Sequence, residues 1–465
     1  MGANASVADL RGDTIAAVAT AAGRAALAVV RLSGRSARAI AARLGVPADL
    51  EPRRARRTRL HQPDRPTEPL DEAVVTVQVA PRSFTGEDTV EFSVHGGTFV
   101  SRALLAALVE AGARPARAGE FTERAVLHGK LDLLQAEAIA DLIDSRSAAM
   151  HRAALRQLGG ALSHRLGELR EALLEVEALI AYEIDFPEED DGPLPRARAL
   201  AAAARAGAGI DALLATLPSA ELARDGLVVV LAGAPNTGKS SLFNTLAGDA
   251  RAIVSAEPGT TRDALEILVD DDPLPIRFVD TAGLRESVDP VERLGVEVSL
   301  KRLAGAHAVL ICADDDVALV QACLTIARHS TAPRIAVRTK ADLLAEGVEW
   351  RAPGTVSAEF ALAVSATTGA GLPALREAVR ALARAHIPDP AEEHPVVTQA
   401  RHASALRTAR AEIALFVEAW NTGTLPAPVA GTHLRAAVLA LDDLMGGIDA
   451  DEVLGRVFST FCVGK

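Results

Sequence analysis

Leu155, Leu158, Leu162, Leu166, Leu169, Leu173, Val176 and Ile180 recur at spacings of three and four, the heptad-like stripe of a helix packed in a bundle. Asp185-Phe186-Pro187-Glu188-Glu189-Asp190-Asp191 ends that run with proline and acid. Pro388-Asp389-Pro390 marks entry into a second helical stretch. Elsewhere the period is two. Val90, Phe92 and Val94 alternate with Glu91 and Ser93, so a strand there puts the apolar residues on one face and leaves the Glu91 carboxylate on the other. Val74-Val75-Thr76-Val77 predicts another strand, and Asp13-Thr14-Ile15 and Val29-Val30-Arg31-Leu32-Ser33-Gly34 suggest further strand and turn. The run Leu227-Val228-Val229-Val230-Leu231-Ala232 is apolar throughout and precedes a glycine-containing loop.

Composition narrows the class. A chain of 465 residues suggests about three domains, and 49% hydrophobic content supplies sizeable cores. No apolar run approaches the ~20 residues of a membrane span. Cys312, Cys323 and Cys462 are too widely spaced for a disulfide framework or a metal pattern, which points to a reducing cytoplasm. A net charge of -12 argues against a protein that coats nucleic acid, though Arg53, Arg54, Arg56, Arg57 and Arg59 form a local basic patch. Of 49 basic residues only Lys130, Lys239, Lys301, Lys340 and Lys465 are lysine. These are candidates for positions that need a compact ammonium on a flexible stem.

Lys239 explains itself. Gly233-Ala234-Pro235-Asn236-Thr237-Gly238-Lys239-Ser240 follows the Leu227–Ala232 run and opens a helix-like segment at Ser241, the context of a phosphate-binding P-loop. Backbone N–H groups converge there on phosphate oxygens, the lysine reaches the β- and γ-phosphates, and Ser240 would ligate Mg²⁺. Further parts of a G protein follow in order. Gly259-Thr260-Thr261-Arg262-Asp263 resembles a first switch, with Thr261 a second candidate Mg²⁺ ligand. Asp280-Thr281-Ala282-Gly283 resembles a second switch, where Asp280 faces Mg²⁺ through water and the Gly283 N–H meets the γ-phosphate. Thr339-Lys340-Ala341-Asp342 resembles the guanine-reading element, and Ser365-Ala366-Thr367 the loop behind the guanine oxygen. The Asp342 carboxylate accepts from the guanine ring N–H and amino group, which argues against an ATPase.

Two positions depart from the usual pattern. Thr339 stands where asparagine is usual and lacks the amide's paired donor and acceptor, which predicts weaker nucleotide affinity. Leu284 follows Gly283 where Ras-like proteins place a water-orienting glutamine. Another group must then orient the nucleophile, with Arg285, Glu286 and Glu292 close by.

Asp280-Thr281-Ala282-Gly283-Leu284-Arg285-Glu286, Val291-Glu292-Arg293-Leu294-Gly295, Gly259-Thr260-Thr261-Arg262-Asp263 and Phe461-Cys462-Val463-Gly464-Lys465 together resemble the MnmE (TrmE) family, the GTPases of bacterial wobble-uridine tRNA modification. Matching motifs run from Asp13 to Lys465. The resemblance implies a multidomain α/β fold: an N-terminal α+β folate-binding-like domain over 1–128, a discontinuous α-helical domain over 129–224 and 385–465, and an inserted P-loop Ras-like G domain over 225–384.

It also implies an activity: hydrolysis of GTP when two G domains meet with K⁺ between them. By the same resemblance, Asn236, Ser255, Glu257 and Thr260 fall on the K⁺ site, and Glu292 on the glutamate that orients water through a bridging water. The GTP contacts fall on Asn236, Thr237, Gly238, Lys239, Ser240, Ser241, Ser255, Thr260, Thr261, Asp280, Thr281, Ala282, Gly283, Thr339, Lys340, Asp342, Ser365 and Ala366. Arg31, Glu91, Lys130 and Lys465 fall on the contacts to a tetrahydrofolate, in its 5-formyl or methylene form. Cys462 is a candidate nucleophile toward uridine or a packed thiol. The implied partners are a second copy through the N-terminal domain, an FAD-dependent MnmG-type subunit in a heterotetramer, and tRNA, with no membrane. Two rival readings are a ribosome-assembly GTPase acting as an RNA-binding switch and a GTPase scaffold without folate chemistry. The first predicts a basic KH-like Gly-x-x-Gly clamp, which the sequence lacks.

Overall fold

A computed structural model describes residues 12–185, 196–248, 266–271, 274–280, 302–344, 350–385, 395–423, 425–446, 461 and 464. They form two compact units. One holds the described residues of Met1–Ala140, Gln157–Ile210 and Ser404–Lys465, and the other those of Asp141–Arg156 and Asp211–Ala403.

The first unit begins with the strands β1 Ile15–Val18, β2 Leu27–Ser33, β3 Arg56–Gln62, β4 Arg65–Gln78, β5 Thr89–His95 and β6 Arg114–Pro115. They make one sheet in the order β3-β4-β5-β2-β1-β6, antiparallel except where β6 runs parallel to β1. The alternation expected in β5 is present. Val90, Phe92 and Val94 are buried with Val30, Leu32, Val75 and Val77 against α1 Ala37–Arg43 and α2 Thr98–Glu110. Glu91 and Ser93 are left on the opposite face.

Short helices α3 Glu120–Leu127, α4 Leu133–Asp144 and α5 Ala148–Leu158 lead into the long α6 Ala161–Asp185. The heptad-like stripe is interrupted here. Leu162, Leu166, Leu169, Leu173, Val176 and Ile180 are buried, but Leu155 is 46% exposed. Gly159 and Gly160 separate α5 from α6, and Gly160 sits at φ 84, where glycine is favoured and the helical phase is lost. α7 Arg196–Leu214, α8 Leu217–Asp225, α12 Ala400–Thr422 and α13 Ala427–Met445 supply the rest of the helical stretches.

Ala197–Asp225, though interrupted by Arg205 and Asp211, is by length and composition long and apolar enough to cross a membrane. Alanine accounts for this. Ala199, Ala203, Ala206 and Ile210 are buried at spacings of four and three, the one-sided face of a packed helix.

In the second unit β7 Leu227–Ala232, β8 Glu266–Val269, β9 Ile276–Asp280, β10 Ala308–Ala313, β11 Arg334–Arg338 and β12 Phe360–Ala363 form a sheet in the order β12-β11-β10-β7-β9-β8. All are parallel except β8, which is antiparallel to β9. Helices α9 Lys239–Gly248 and α11 Leu372–Arg384 cover one face, and α10 Asp316–Ala327 the other. Val229 and Leu231 point into one core while Val230 and Ala232 point into the other. That is why the run is apolar at every position.

Two truncations separate buried from exposed positions. Leu434→Ala on α13 removes a fully buried side chain, and is expected to cost roughly 2–5 kcal/mol. Leu155→Ala is expected to change stability by less than about 0.5 kcal/mol. Denaturant midpoints followed by far-ultraviolet circular dichroism read both.

Candidate functional site

β7 ends in a loop that glycine makes possible. Gly233 has φ 150, and a Cβ on it would lie 2.1 Å from the Cys312 carbonyl oxygen. The loop therefore bends directly against β10, and no other residue fits. Asn236 and Gly238 also have positive φ, 64 and 86. α9 starts at Lys239, so its N-terminal amides face the loop, the geometry that accepts phosphate oxygens. Lys239 is buried, and its Nζ donates to Gly233 O at 3.0 Å and Ala234 O at 2.7 Å. Burial lowers its pKa, so an arriving polyphosphate supplies the counter-charge this ammonium lacks.

The next polar pair joins the loop to β9. Ser240 Oγ donates to Asp280 Oδ2 at 3.0 Å. Asp280 Oδ1 is buried with no hydrogen-bond partner among the described residues, and burial raises the pKa of the carboxyl. A hydroxyl oxygen beside an orphaned carboxylate oxygen fits a hard, oxygen-seeking cation. Mg²⁺ would be held here by Ser240, with Asp280 behind it.

The guanine-reading segment follows β11. Thr339 is buried; its backbone N–H donates to Ala313 O at 2.8 Å. Its hydroxyl faces two carbonyls, Thr237 O in the loop after β7 and Ala313 O at 3.0 Å, and donates its single proton to one or the other. The residue that departs from the usual asparagine thus ties the base-reading segment to the phosphate loop. Lys340 lies in the left-handed region at φ 53. Asp342 Oδ1 accepts from Ser365 Oγ at 2.6 Å, and Ser365 is fully buried and fixed by Thr368 N. Ala366 O accepts from Thr245 Oγ1 at 3.3 Å, which links this loop to α9. Ser241 is exposed on the first turn of α9. Ser255, Glu257, Thr260, Thr261, Thr281, Ala282, Gly283, Arg285, Glu292, Cys462 and Lys465 lie outside the described residues.

A second candidate site lies on the face of the first sheet opposite α1 and α2. Arg31 and Glu91 stand opposite each other on β2 and β5, and Arg31 Nε donates to Glu91 Oε1 at 2.9 Å. The guanidinium also lies 5.5 Å from the Phe84 ring centroid and 5.6 Å from that of Phe121, which restricts it by cation–π contact. Lys130 Nζ donates to Pro81 O at 3.1 Å. Phe84 and Pro81 belong to one loop, so a single segment serves both Arg31 and Lys130.

Buried polar groups hold that loop. Ser33 Oγ donates to Glu87 Oε2 at 2.9 Å and lies 2.7 Å from Thr85 Oγ1. Arg124, buried, donates to Glu87 at 3.1 Å, to Glu120 at 3.1 Å and to Asp13. Gly464 lies against β1: a Cβ on it would meet Val18 O at 2.4 Å. Val18 is next to Ala17, which pairs with Arg31. Sequence reasoning passed over Phe84, Phe121, Glu87 and Arg124 because only tertiary folding brings them to Arg31 and its loop.

Two family models and several full-length relatives match the chain. A model described as the MnmE helical domain matches residues 133–462, and one described as the GTP-binding protein TrmE N-terminus matches residues 14–130. The chain is 40% identical over 459 residues to the tRNA modification GTPase MnmE of Laribacter hongkongensis, covering 97% of this chain and 99% of that one. It is 42% identical over 418 residues to the protein of the same name from an Azoarcus species, covering 89% and 90%. Among solved structures, the G domain of the T. maritima FeoB iron transporter aligns with 34% of this chain and 98% of its own, at 25% identity and a TM-score of 0.27.

Thr339→Val leaves the volume but removes the hydroxyl proton between two buried carbonyls. GDP affinity is expected to fall roughly five- to tenfold, while Thr339→Ser stays within about twofold of the parent. Equilibrium titration with a fluorescent GDP distinguishes them.

Proposed function

This chain belongs to the MnmE family of tRNA modification GTPases, and on that premise we propose that its GTP hydrolysis is K⁺-assisted, triggered by G-domain dimerisation and coupled to modification of C5 of the wobble uridine. As a GTPase it converts GTP and water to GDP and phosphate. The observation that carries the reading of the nucleotide site is the Thr339 hydroxyl, set between Thr237 O of the phosphate loop and Ala313 O. It makes one continuous surface of a phosphate loop and a base-reading loop. In this reading Asn236, Thr237, Gly238, Lys239, Ser240 and Ser241 surround the phosphates, Asp342 reads guanine with Lys340 along the base, and Ser365 and Ala366 support it. The Asp342 carboxylate is already oriented by Ser365, so little ordering remains when a base docks.

Mg²⁺ would be held by Ser240 and Thr261 with Asp280 behind, and would supply positive charge against the phosphates. Asn236, Ser255, Glu257 and Thr260 would hold K⁺, and Thr281, Ala282 and Gly283 would meet the γ-phosphate. Leu284 cannot bond water, so Glu292 orients the nucleophile through a bridging water and Arg285 assists. Water oxygen attacks the γ-phosphorus as its bond to the β–γ bridging oxygen breaks, so GDP leaves with that oxygen and the water's proton passes to the phosphate or to solvent.

The tetrahydrofolate site is proposed on the sheet face opposite α1 and α2. Arg31 and Glu91 present a donor and an acceptor side by side, Lys130 offers a cation beside the same loop, and Lys465 is carried to this site by family resemblance. The tetrahydrofolate, as 5-formyl or methylene form, supplies the one-carbon unit of an aminomethyl or carboxymethylaminomethyl group. We further propose the domain limits given above, a homodimer through the N-terminal domain, an MnmG-type FAD-bearing partner, a cytoplasmic setting, and Cys462 as a candidate nucleophile.

Turnover in K⁺ is expected to exceed that in Na⁺ at matched ionic strength and to rise with protein concentration. Loss of that rise in Glu292→Ala supports the dimerising mechanism, and cation-independent turnover sinks it. For the folate site, Glu91→Gln frees Arg31 of its carboxylate. It is expected to weaken tetrahydrofolate binding roughly tenfold by calorimetry while leaving GTP turnover untouched; unchanged folate affinity would remove Glu91 from the site.

A further inference from the structure

β10 ends at Ala313, and Asp314, Asp315 and Asp316 follow. Each makes a different bond. Asp314 Oδ2 accepts from Lys340 Nζ at 2.6 Å. Asp315 caps α10, accepting from Ala318 N at 2.6 Å. Asp316 Oδ1 accepts from Trp350 Nε1 at 2.9 Å and lies 3.7 Å from Arg338 Nε. Arg338 and Trp350 bracket the segment that carries Thr339, Lys340 and Asp342. The aspartate run therefore grips that segment on either side, and at Lys340 between.

The lysine bond matters most for recognition. A lysine side chain free in solvent samples many rotamers, and a ligand must remove part of that freedom before the stem can pack on it. Asp314 has already fixed the ammonium end, so the stem runs in one direction from its left-handed turn. The pair is only partly exposed, 38% at Lys340 and 34% at Asp314, and the Asp314 carboxyl is held below its ordinary range chiefly by the lysine hydrogen bond. It stays ionised at neutral pH.

We infer that Asp314 is a positioning residue for guanine recognition, which orders Lys340 in advance and so slows departure of the bound guanine nucleotide. The inference rests on Lys340 and Asp342 being the guanine-reading pair. Asp314 reaches the base only through Lys340 and takes no part in phosphate chemistry. It acts on nucleotide residence rather than on the hydrolytic step.

The test is dissociation of a fluorescent GDP from the full-length chain, with Asp314→Asn, Lys340→Met and the double variant compared with the parent. Asp314→Asn is expected to speed release roughly three- to tenfold. It should raise KM for GTP in step while holding kcat within about twofold. The double variant should release GDP no faster than Lys340→Met alone, because both changes remove the same contact. Asp314→Glu, which keeps the charge, should recover part of the residence time.

Release from Asp314→Asn at the parental rate, with Lys340→Met fast, overturns the inference and leaves the guanine-reading assignment standing. Additive effects in the double variant, or a fall in kcat with a lowered melting temperature, also overturn it by showing that Asp314 acts elsewhere. Parental release from Lys340→Met removes the guanine-reading assignment itself, and this inference with it.

Discussion

A parallel sheet covered on both faces leaves no room for polar side chains along its central strands. The nucleotide-binding unit is organised by that restriction. β10 is buried at every position, and β7 at all but one. Polar chemistry can begin only where a strand stops. Gly233 to Ser240 follow β7, Asp280 is the last residue of β9, Asp314 follows β10, Thr339 to Asp342 follow β11, and Ser365 lies just past β12. The strands run the same way, so their carboxyl ends deliver these residues along one side of the sheet, where ligands of open α/β sheets bind. Contacts between neighbouring strand ends then become contacts within the site. Cys312 O limits Gly233, Ala313 O accepts from Thr339, and Asp314 holds Lys340.

The antiparallel sheet solves a different problem. Helices α1 and α2 bury one face, while on the other Phe121 of α3 covers Ile15 and Ala17 of β1 and leaves β2 and β5 able to carry partly exposed polar residues. Arg31 and Glu91 use that freedom, and being cross-strand neighbours they pair with little chain ordering. A charged pair on a partly exposed sheet face contributes modestly to stability. The buried carboxylates and guanidinium around Arg124 serve another purpose: they clamp the loop that carries Phe84 and Pro81, and truncating one partner would strand the others without water. The rigidity of that face is set from beneath.

Local pattern made much of this legible. The P-loop, the strand before it and the alternation in β5 follow from neighbours in sequence, while Arg31 and Glu91 were singled out by family resemblance, and their ion pair was not foreseen. What escaped depends on distance. The stripe from Leu155 to Ile180 counts correctly at helical spacing, yet a glycine pair at Gly159 and Gly160 resets its phase, so Leu155 faces out. Alanine-rich Ala197–Asp225 scores as apolar on composition, while burial is confined to one side. Thr339 looked like a loss when compared with asparagine. Its value lies in a carbonyl 102 positions away, which no local pattern contains. The three aspartates after β10 take separate partners that only the folded chain brings to them.

The close fit of Gly464 against Val18 O bears on when the first sheet becomes functional. On the ribosome, β1 emerges early and Gly464 only after the whole G domain has been made. The β1 edge beside Arg31 therefore waits for a segment synthesised long after it. A chain cut short of Gly464 lacks this contact. The two ends of the described sequence are thereby made to answer to one another, so that a change beside Gly464 is felt at β1.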